Sequence, residues 1–123
     1  MAEDIKDFYD LNAWQKAHEF ILKIYKITKK FPKAELYGIT GQQRRAAYSI
    51  AANIAEGFSR YHYNDKVRFY HGARGSVSEA QNFLFLSRDL CFLGRDDFAN
   101  ALNLSKEVIR LINGLIRSIE KQK

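Results

Sequence analysis

The sequence predicts an all-α protein, a single antiparallel four-helix bundle with up-down-up-down connectivity over residues 1–123. Apolar side chains recur at steps of three and four residues in four separate segments, which is the spacing of one helix face. The chain has one proline, Pro32, so it lacks the turn residues typical of an all-β domain of this size. Connections of about five to nine residues favour antiparallel neighbours.

The first helix is predicted over residues 11–30, because the residue before Pro32 is disfavoured in helical conformation. Its core face is expected to consist of Trp14, His18, Ile21, Tyr25 and Thr28, with Ala17 and Ile24 alongside. On that face His18 is expected to be a hydrogen-bonded core or interface histidine rather than a metal ligand.

The second helix is predicted over residues 40–58, where Thr40 and Gln43 fit a capping box. Its core face is expected to consist of Ala47, Ile50, Ala51, Ile54 and Phe58.

The third helix is predicted over residues 64–93, between an N-cap at Asn64 and a stop at Gly94. Gly72 and Gly75 should each cost about 1 kcal/mol relative to alanine, which indicates close helix approach or a local kink. Its core face is Tyr70, Ala73, Val77, Ala80, Leu84, Ser87 and Cys91. The fourth helix is predicted over residues 96–120, with Phe98, Leu102, Ser105, Ile109, Ile112, Ile116 and Ile119 as its core face.

Several functional classes lack support in the sequence. The single cysteine, Cys91, excludes an internal disulfide framework and a cysteine-based zinc site. The chain has no nucleotide-binding or hydrolase motif and no Glu-x-x-His pair, so we expect no enzyme, metal, cofactor or small-molecule substrate. The acidic N-terminus and the lack of a long apolar stretch predict a cytoplasmic protein without a membrane segment.

The charge is unevenly distributed along the chain. Residues 1–10 hold four acidic side chains and one lysine, a net charge of −3, so the total of +6 leaves +9 for the rest. A basic folded part suggests a polyanionic partner such as RNA or DNA. The alternative is a well-solvated surface.

Two sets of cations are candidates for nucleic-acid binding. Four lysines fall on one side of the first helix and could contact phosphates: Lys16, Lys23, Lys26 and Lys30, extended by Lys29 and Lys33. The alternative is a solvated face, since Glu19 and Lys23 form an i,i+4 pair. The second set is Arg60, Lys66 and Arg68, interleaved with Tyr61 and Tyr63 as in single-strand binders. Here the alternative is that the aromatic residues cover the bundle end.

The outer face of the second helix carries small and polar residues: Arg45, Ser49, Ala52 and Glu56, with Ala46 and Asn53 beside them. Such a face is expected to pack against a neighbouring subunit or a second helix of the same bundle, with its polar groups paired. Arg45 and Glu56 are then structural, and removing either would leave a buried half-pair at a cost of about 3 kcal/mol or more.

The residues of the second and third helices resemble the signature of a known protein family. The second helix is similar to its signature at Gln42, Arg45, Ala46, Ser49, Ile50, Asn53, Ile54, Ala55, Glu56 and Gly57. The third helix continues the match at Phe69, Ala73, Arg74, Gly75, Ser76 and Glu79, and Leu11, Trp14, Tyr25, Phe31, Pro32 and Glu35 also match. The chain thus resembles the four-helix-bundle proteins encoded in intervening sequences of bacterial large-subunit ribosomal RNA genes. Ala51 departs from the proline of many members, which leaves the function unaffected.

The resemblance implies an antiparallel bundle that assembles into a ring, most often a homopentamer. The accessory protein of diversity-generating retroelements, which binds nucleic acid, is more distantly similar. The polar set Gln42, Arg45, Ser49, Asn53, Glu56, Ser76 and Glu79 is interpreted as structural or as an oligomer interface. We therefore expect a non-enzymatic basic oligomer that binds RNA or DNA through its lysine-rich faces. The alternative is a protein–protein scaffold that binds no nucleic acid.

Overall fold

The computed structural model describes residues 4–123, which form four α-helices and no strand. The helices are α1 (Asn12–Thr28), α2 (Gly41–Ser59), α3 (Tyr63–Asp89) and α4 (Arg95–Gln122). Each helix packs against its neighbours in the chain, and α1 also packs against α4, so the four helices close around one core. The all-α prediction is confirmed. Of the acidic N-terminal segment, Glu3 lies outside the described residues.

The core face of α1 differs from the expected one by a small rotation of the helix. The buried residues are Ala13, Ala17, Phe20, Ile24, Ile27 and Thr28. Trp14 and Ile21 are only half-buried, and Tyr25 is exposed. The sequence predicts that His18 lies in the core or at an interface. It does not lie in the core, because it is exposed and stacks on Trp14 with 4.8 Å between ring centroids, and an interface with another copy stays a prediction. The apolar arc of α1 is wide, and packing between α2 and α4 buries only its centre.

The third helix ends earlier than predicted, at Asp89 rather than residue 93. Cys91 adopts a left-handed conformation with φ of 65°. Its amide donates to the Arg88 carbonyl at 3.0 Å, and the Phe92 amide donates to the Ser87 carbonyl at 2.9 Å. This is a Schellman motif with cysteine at the position usually held by glycine. Cys91 is consequently exposed instead of lying on the core face, and Gly94 is the N-cap of α4.

The long connection between α1 and α2 is folded onto the bundle. It contains a 3-10 turn (Lys33–Glu35) and a π turn (Leu36–Thr40), and it is anchored by buried Phe31, Ile39 and Thr40. The predicted capping box at Thr40 is wrong, because the Thr40 side chain makes no capping hydrogen bond. Gln43 instead lies in the core, where its side-chain amide donates to the Ala80 carbonyl of α3 at 3.2 Å.

Candidate nucleic-acid interface and interhelical polar row

Apart from Lys16, the two predicted sets of cations lie at opposite ends of the bundle. α1 and α2 run antiparallel, so Lys23, Lys26 and Lys30 lie where α2 begins, whereas Arg60 and the start of α3 lie where α2 ends. A helix of 19 residues separates these positions by about 28 Å. The fold therefore does not combine the two sets into one surface.

The end at which α1 stops and α2 starts, hereafter the basic end, carries a dense group of exposed cations. Lys26, Lys29, Lys30 and Lys33 are all exposed. Residues 23–44 contain six lysine and arginine side chains and a single acidic one. That acid, Glu35, accepts a hydrogen bond from the Ile39 amide at 3.3 Å within the connection. Most of the positive charge therefore faces solvent.

An acidic residue of another helix, Asp97 of α4, contacts the lysines of the basic end. Its carboxylate lies 3.0 Å from the Lys23 ammonium and 3.9 Å from that of Lys30. The hydrogen bond from Lys23 is the main cause of the lowered pKa of Asp97. Only 19% of the Lys23 side chain is exposed, so Lys23 joins α1 to α4 and is poorly placed for a ligand. Lys26, Lys29 and Lys33 have no acidic partner within 4.0 Å among residues 4–123.

Lys16 lies apart from the other lysines of α1, in the second turn of the helix. It pairs with Glu19 at 3.4 Å, and a third of its side chain is exposed. The lysine stripe is therefore split. Lys26 and Lys30 are solvent-facing at the basic end, although Lys30 also lies 3.9 Å from Asp97, while Lys16 and Lys23 are largely covered and pair with acidic side chains.

At the opposite end, Arg60, Lys66 and Arg68 have partners within the fold. The Arg60 and Arg68 guanidinium groups lie 4.7 and 5.4 Å from the centre of the Phe69 ring. Arg60 also pairs with Glu56 at 3.5 Å, and Arg68 pairs with Asp65 at 3.7 Å.

Lys66 closes the C-terminus of α2, where its ammonium donates to the Phe58 carbonyl at 2.7 Å. The free carbonyls at the C-terminus of a helix attract cations such as this ammonium. Its partial burial lowers the pKa of Lys66. These contacts favour the interpretation that this group covers the bundle end, although Tyr61 beside it is almost fully exposed.

A row of polar contacts runs along the outer edge of the α2–α3 interface, hereafter the polar row. The Arg45 guanidinium bonds Glu79 at 3.0 Å and Gln42 at 3.0 Å. One turn further, the Ser49 and Ser76 hydroxyls are 3.0 Å apart.

The row continues at Asn53, whose side-chain amide donates to the Ser49 carbonyl at 2.9 Å. Gly72 faces Asn53, and a Cβ added there would lie 3.3 Å from the Asn53 side-chain oxygen. Close approach therefore explains Gly72. Six of the seven polar residues expected to be structural lie in this row. The seventh, Glu56, lies outside it, and its carboxylate contacts the Arg60 guanidinium and the Ser59 hydroxyl.

The expectation of a buried charge at Arg45 and Glu56 is wrong for the chain itself. The Arg45 and Glu79 side chains are 48% and 41% exposed, so the ion pair is largely solvated. The polar row therefore provides α2–α3 register rather than a desolvated ion pair.

The outer edge of the polar row is open. Gly75 and Ala52 are exposed, Tyr48 is half-exposed, and no atom lies within 4 Å of a Cβ added at Gly75. The α3 helix is continuous through Gly75, so this glycine produces neither a kink nor a close contact within the chain.

The sequence pattern did not indicate that two further residues, Asp97 and Arg44, belong to the basic end. Asp97 lies in the first turn of α4, where an acidic residue normally indicates only a favourable helix dipole interaction. Arg44 donates to the Thr28 hydroxyl at 2.9 Å and lies 4.6 Å above the Tyr25 ring. Both contacts join different helices, and residue spacing carries no signal for them.

Within the described part of the chain, no group of three histidine, cysteine or acidic side chains is arranged to hold a metal ion. Among the same residues, no helix combines the length and apolar character that crossing a membrane requires.

Comparison with known proteins gives one family match and four matching chains of solved structures, one of which is described below. The family model described as 23S rRNA-intervening sequence protein matches residues 9–114. The fold is similar to the 1.70 Å crystal structure of a protein of unknown function from the S23 ribosomal protein family of Bacteroides thetaiotaomicron. The two share 23% sequence identity with a TM-score of 0.78, over 85% of this chain and 97% of the other. No curated protein matches the sequence.

Proposed function

We propose that this chain, which belongs to the 23S rRNA-intervening sequence protein family, is a non-enzymatic, oligomeric bundle that binds RNA or DNA at its basic end. The observation that carries the proposal is the group of exposed lysines there, of which Lys26, Lys29 and Lys33 have no acidic partner in the described chain. Flexible ammonium groups of this kind contact phosphates without reading base sequence. Its free cysteine, Cys91, fits the reducing cytoplasm.

An exposed aromatic residue lies in the same connection. Tyr37 is 95% exposed, four residues after Lys33, and could stack on an unpaired base. We therefore expect single-stranded or looped RNA to bind more tightly than duplex DNA. Lys16, Lys23 and Lys66 are left out of the proposed interface because contacts within the fold occupy them, and Arg60 and Arg68 because they pair with acidic side chains at the opposite end of the bundle. Lys30 is kept, because 72% of its side chain is exposed and its ammonium lies 3.9 Å from Asp97.

The test compares two double variants with equal loss of charge. Lys26/Lys30→Gln alters the basic end, and Lys106/Lys121→Gln removes two exposed lysines of α4. Binding of a labelled structured RNA, a single strand and a DNA duplex is measured by fluorescence anisotropy at two salt concentrations. The first variant should weaken binding and reduce the slope of log affinity against log salt by up to about two, whereas the second should have a much smaller effect.

Two outcomes would contradict the proposal. One is the absence of nucleic-acid binding by the unmodified protein at low salt. The other is an equal loss of affinity in both double variants, because binding would then follow net charge rather than the basic end.

A second candidate function is assembly, which the open edge of the polar row favours. Small exposed residues beside half-exposed Tyr48 leave room for another helix to approach Ala52 and Gly75. We propose that this edge is the contact between copies of the chain in a ring-like homo-oligomer, of which five copies is the number implied by the family resemblance. Assembly without nucleic-acid binding would make the protein a scaffold.

Gly75→Arg tests this contact, because the added side chain meets no atom of its own bundle within 4 Å of the Cβ. Ala99→Arg on the exposed side of α4 is the matched control. Light scattering should show a lower mass for Gly75→Arg alone, with helix content unchanged by circular dichroism. A monomeric unmodified protein, or equal masses for both variants and the unmodified chain, would contradict the assembly proposal.

A further inference from the structure

A pocket opens at the basic end between the last turn of α1, the connection and the first turn of α2. Its volume is about 360 Å³, and its lining includes Lys29, Lys33 and Arg44 but no acidic residue. Phe31 and Leu36 contribute to an apolar wall. The pocket is within the size range of small-ligand sites and combines positive charge with an apolar surface. It is hereafter the connection pocket.

Arg44 is held in place by contacts that leave part of its guanidinium free. The Nε atom donates to the Thr28 hydroxyl at 2.9 Å, and that hydroxyl donates to the Ile24 carbonyl at 2.7 Å. The guanidinium carbon lies 4.6 Å from the centre of the Tyr25 ring. Within residues 4–123 its terminal nitrogens make no hydrogen bond or ion pair, so they can bind two oxygens of one phosphate.

Thr40 supplies an independent observation at the same place, a buried hydroxyl without a partner among residues 4–123. The residue lines the connection pocket and is 4% exposed, yet its hydroxyl has no hydrogen-bond partner in the described chain. Buried hydroxyls are nearly always paired in folded proteins. Thr40 directly precedes α2, and it shares the connection pocket with Arg44 from the first turn of that helix.

We propose that the connection pocket binds a nucleotide unit, with the phosphate on Arg44, Lys29 and Lys33 and the base against Phe31 and Leu36. The Thr40 hydroxyl then bonds a phosphate or sugar oxygen. The unit can be a free nucleoside monophosphate or the phosphorylated end of a strand. Binding of a strand end rests on the proposed function. It would place one nucleotide of the bound strand in the connection pocket, beside the exposed lysines of the basic end.

Calorimetric titration of the full chain tests the pocket with AMP and UMP, with inorganic phosphate, and with adenosine. The monophosphates should bind, phosphate should bind more weakly because it lacks the apolar contact, and adenosine should bind least. Thr40→Val and Arg44→Gln should each lower the affinity for AMP about tenfold. Arg117→Gln, an exposed arginine of α4, is the matched control and should leave it unchanged.

Thr40→Val keeps the test interpretable if Arg44→Gln disturbs the fold, because the hydroxyl makes no hydrogen bond that the fold would lose. Absence of AMP binding, or equal AMP affinity in Thr40→Val, Arg44→Gln and Arg117→Gln, would overturn the inference. Loss in the first two variants alone would support it.

Oligonucleotides with and without a 5′-phosphate separate the two sources and the two proposals. A preference for the phosphorylated strand that Thr40→Val abolishes assigns the strand end to the pocket. AMP binding without that preference assigns the free nucleotide. If nucleic acid binds through Lys26 and Lys30 but AMP does not bind, the nucleotide site in the connection pocket is refuted and the proposed function stands. If AMP binds but nucleic acid does not, the proposed function is refuted and the nucleotide site stands.

Discussion

Replacing Gly57 with alanine should destabilise the bundle where α2 and α3 touch. A Cβ at Gly57 would lie 2.8 Å from Cε1 of Tyr70 and 3.0 Å from the Cβ of Phe69. The Tyr70 ring is only 2% exposed and therefore has little space to move; the same burial raises its pKa to about 12. Overpacking of this kind costs about 1–3 kcal/mol, against a gain in helix propensity of up to about 1 kcal/mol.

Gly75→Ala is the matched control, because Gly75 is also helical but its added Cβ meets nothing within 4 Å. Gly75→Ala should raise the free energy of unfolding by about 0.5–1 kcal/mol, because alanine has a higher helix propensity than glycine and the added methyl group causes no clash. Subtracting one variant from the other removes much of the propensity contribution and leaves the steric cost. We therefore expect Gly57→Ala to have a free energy of unfolding about 1–3 kcal/mol below that of Gly75→Ala.

Urea unfolding followed by circular dichroism measures this difference, at several protein concentrations because self-association adds to apparent stability. If Gly57→Ala proved as stable as Gly75→Ala, the close α2–α3 contact would be refuted. If Gly75→Ala were less stable than the unmodified chain only at high protein concentration, a second copy would occupy the open edge of the polar row.

Three further predictions follow from individual contacts. Asp97→Asn should lower the free energy of unfolding by about 0.5–1 kcal/mol and strengthen RNA binding, because it frees Lys23 and Lys30 from a carboxylate. The stability difference should be complete above pH about 4 and disappear as the pH falls through the lowered pKa of Asp97, since both variants are then uncharged at this position. Arg45→Ala should cost no more than about 1 kcal/mol in the monomer, because its pair with Glu79 is largely solvated. Cys91→Gly should raise the free energy of unfolding by about 1 kcal/mol by relieving a left-handed conformation.

Thermal unfolding and anisotropy titrations check these expectations. Unchanged RNA affinity in Asp97→Asn, or a stability difference that persists at pH 2, would contradict the assignment of Asp97. A loss near 3 kcal/mol in Arg45→Ala would show that the pair is desolvated by a neighbouring copy. A lower melting temperature for Cys91→Gly would contradict the Schellman geometry, with Cys91→Ala as the control that keeps the Cβ.

Local patterns predicted the α-helices well. The core face predicted for α3 is buried from Tyr70 to Ser87, because a period of 3.6 residues places these side chains on one side of any straight helix. The same argument failed at the end of that helix. The sequence predicted that α3 stops at Gly94, but the left-handed residue that ends the helix is Cys91, four residues after Ser87. The residue type does not indicate that a cysteine will adopt a positive φ.

The α1 helix shows a second limit of the pattern. Its apolar arc includes Trp14 and Tyr25 as well as Phe20 and Ile24, and periodicity alone does not choose the centre of the arc. The positions of α2 and α4 make that choice, so Phe20 is buried while Tyr25 is exposed and packs under Arg44.

The sequence by itself determined that the chain is helical, where most helices begin and end, that its charge is strongly positive beyond residue 10, and which family it resembles. Those properties depend on composition and on neighbours within a few residues. Only the tertiary structure decided which lysines are available, because the partner of Lys23 is Asp97, 74 residues away in the chain. It also decided that the two cationic groups lie at opposite ends and that Arg44, Lys29 and Thr40 share one pocket, since antiparallel packing brings together side chains whose spacing in the sequence carries no signal.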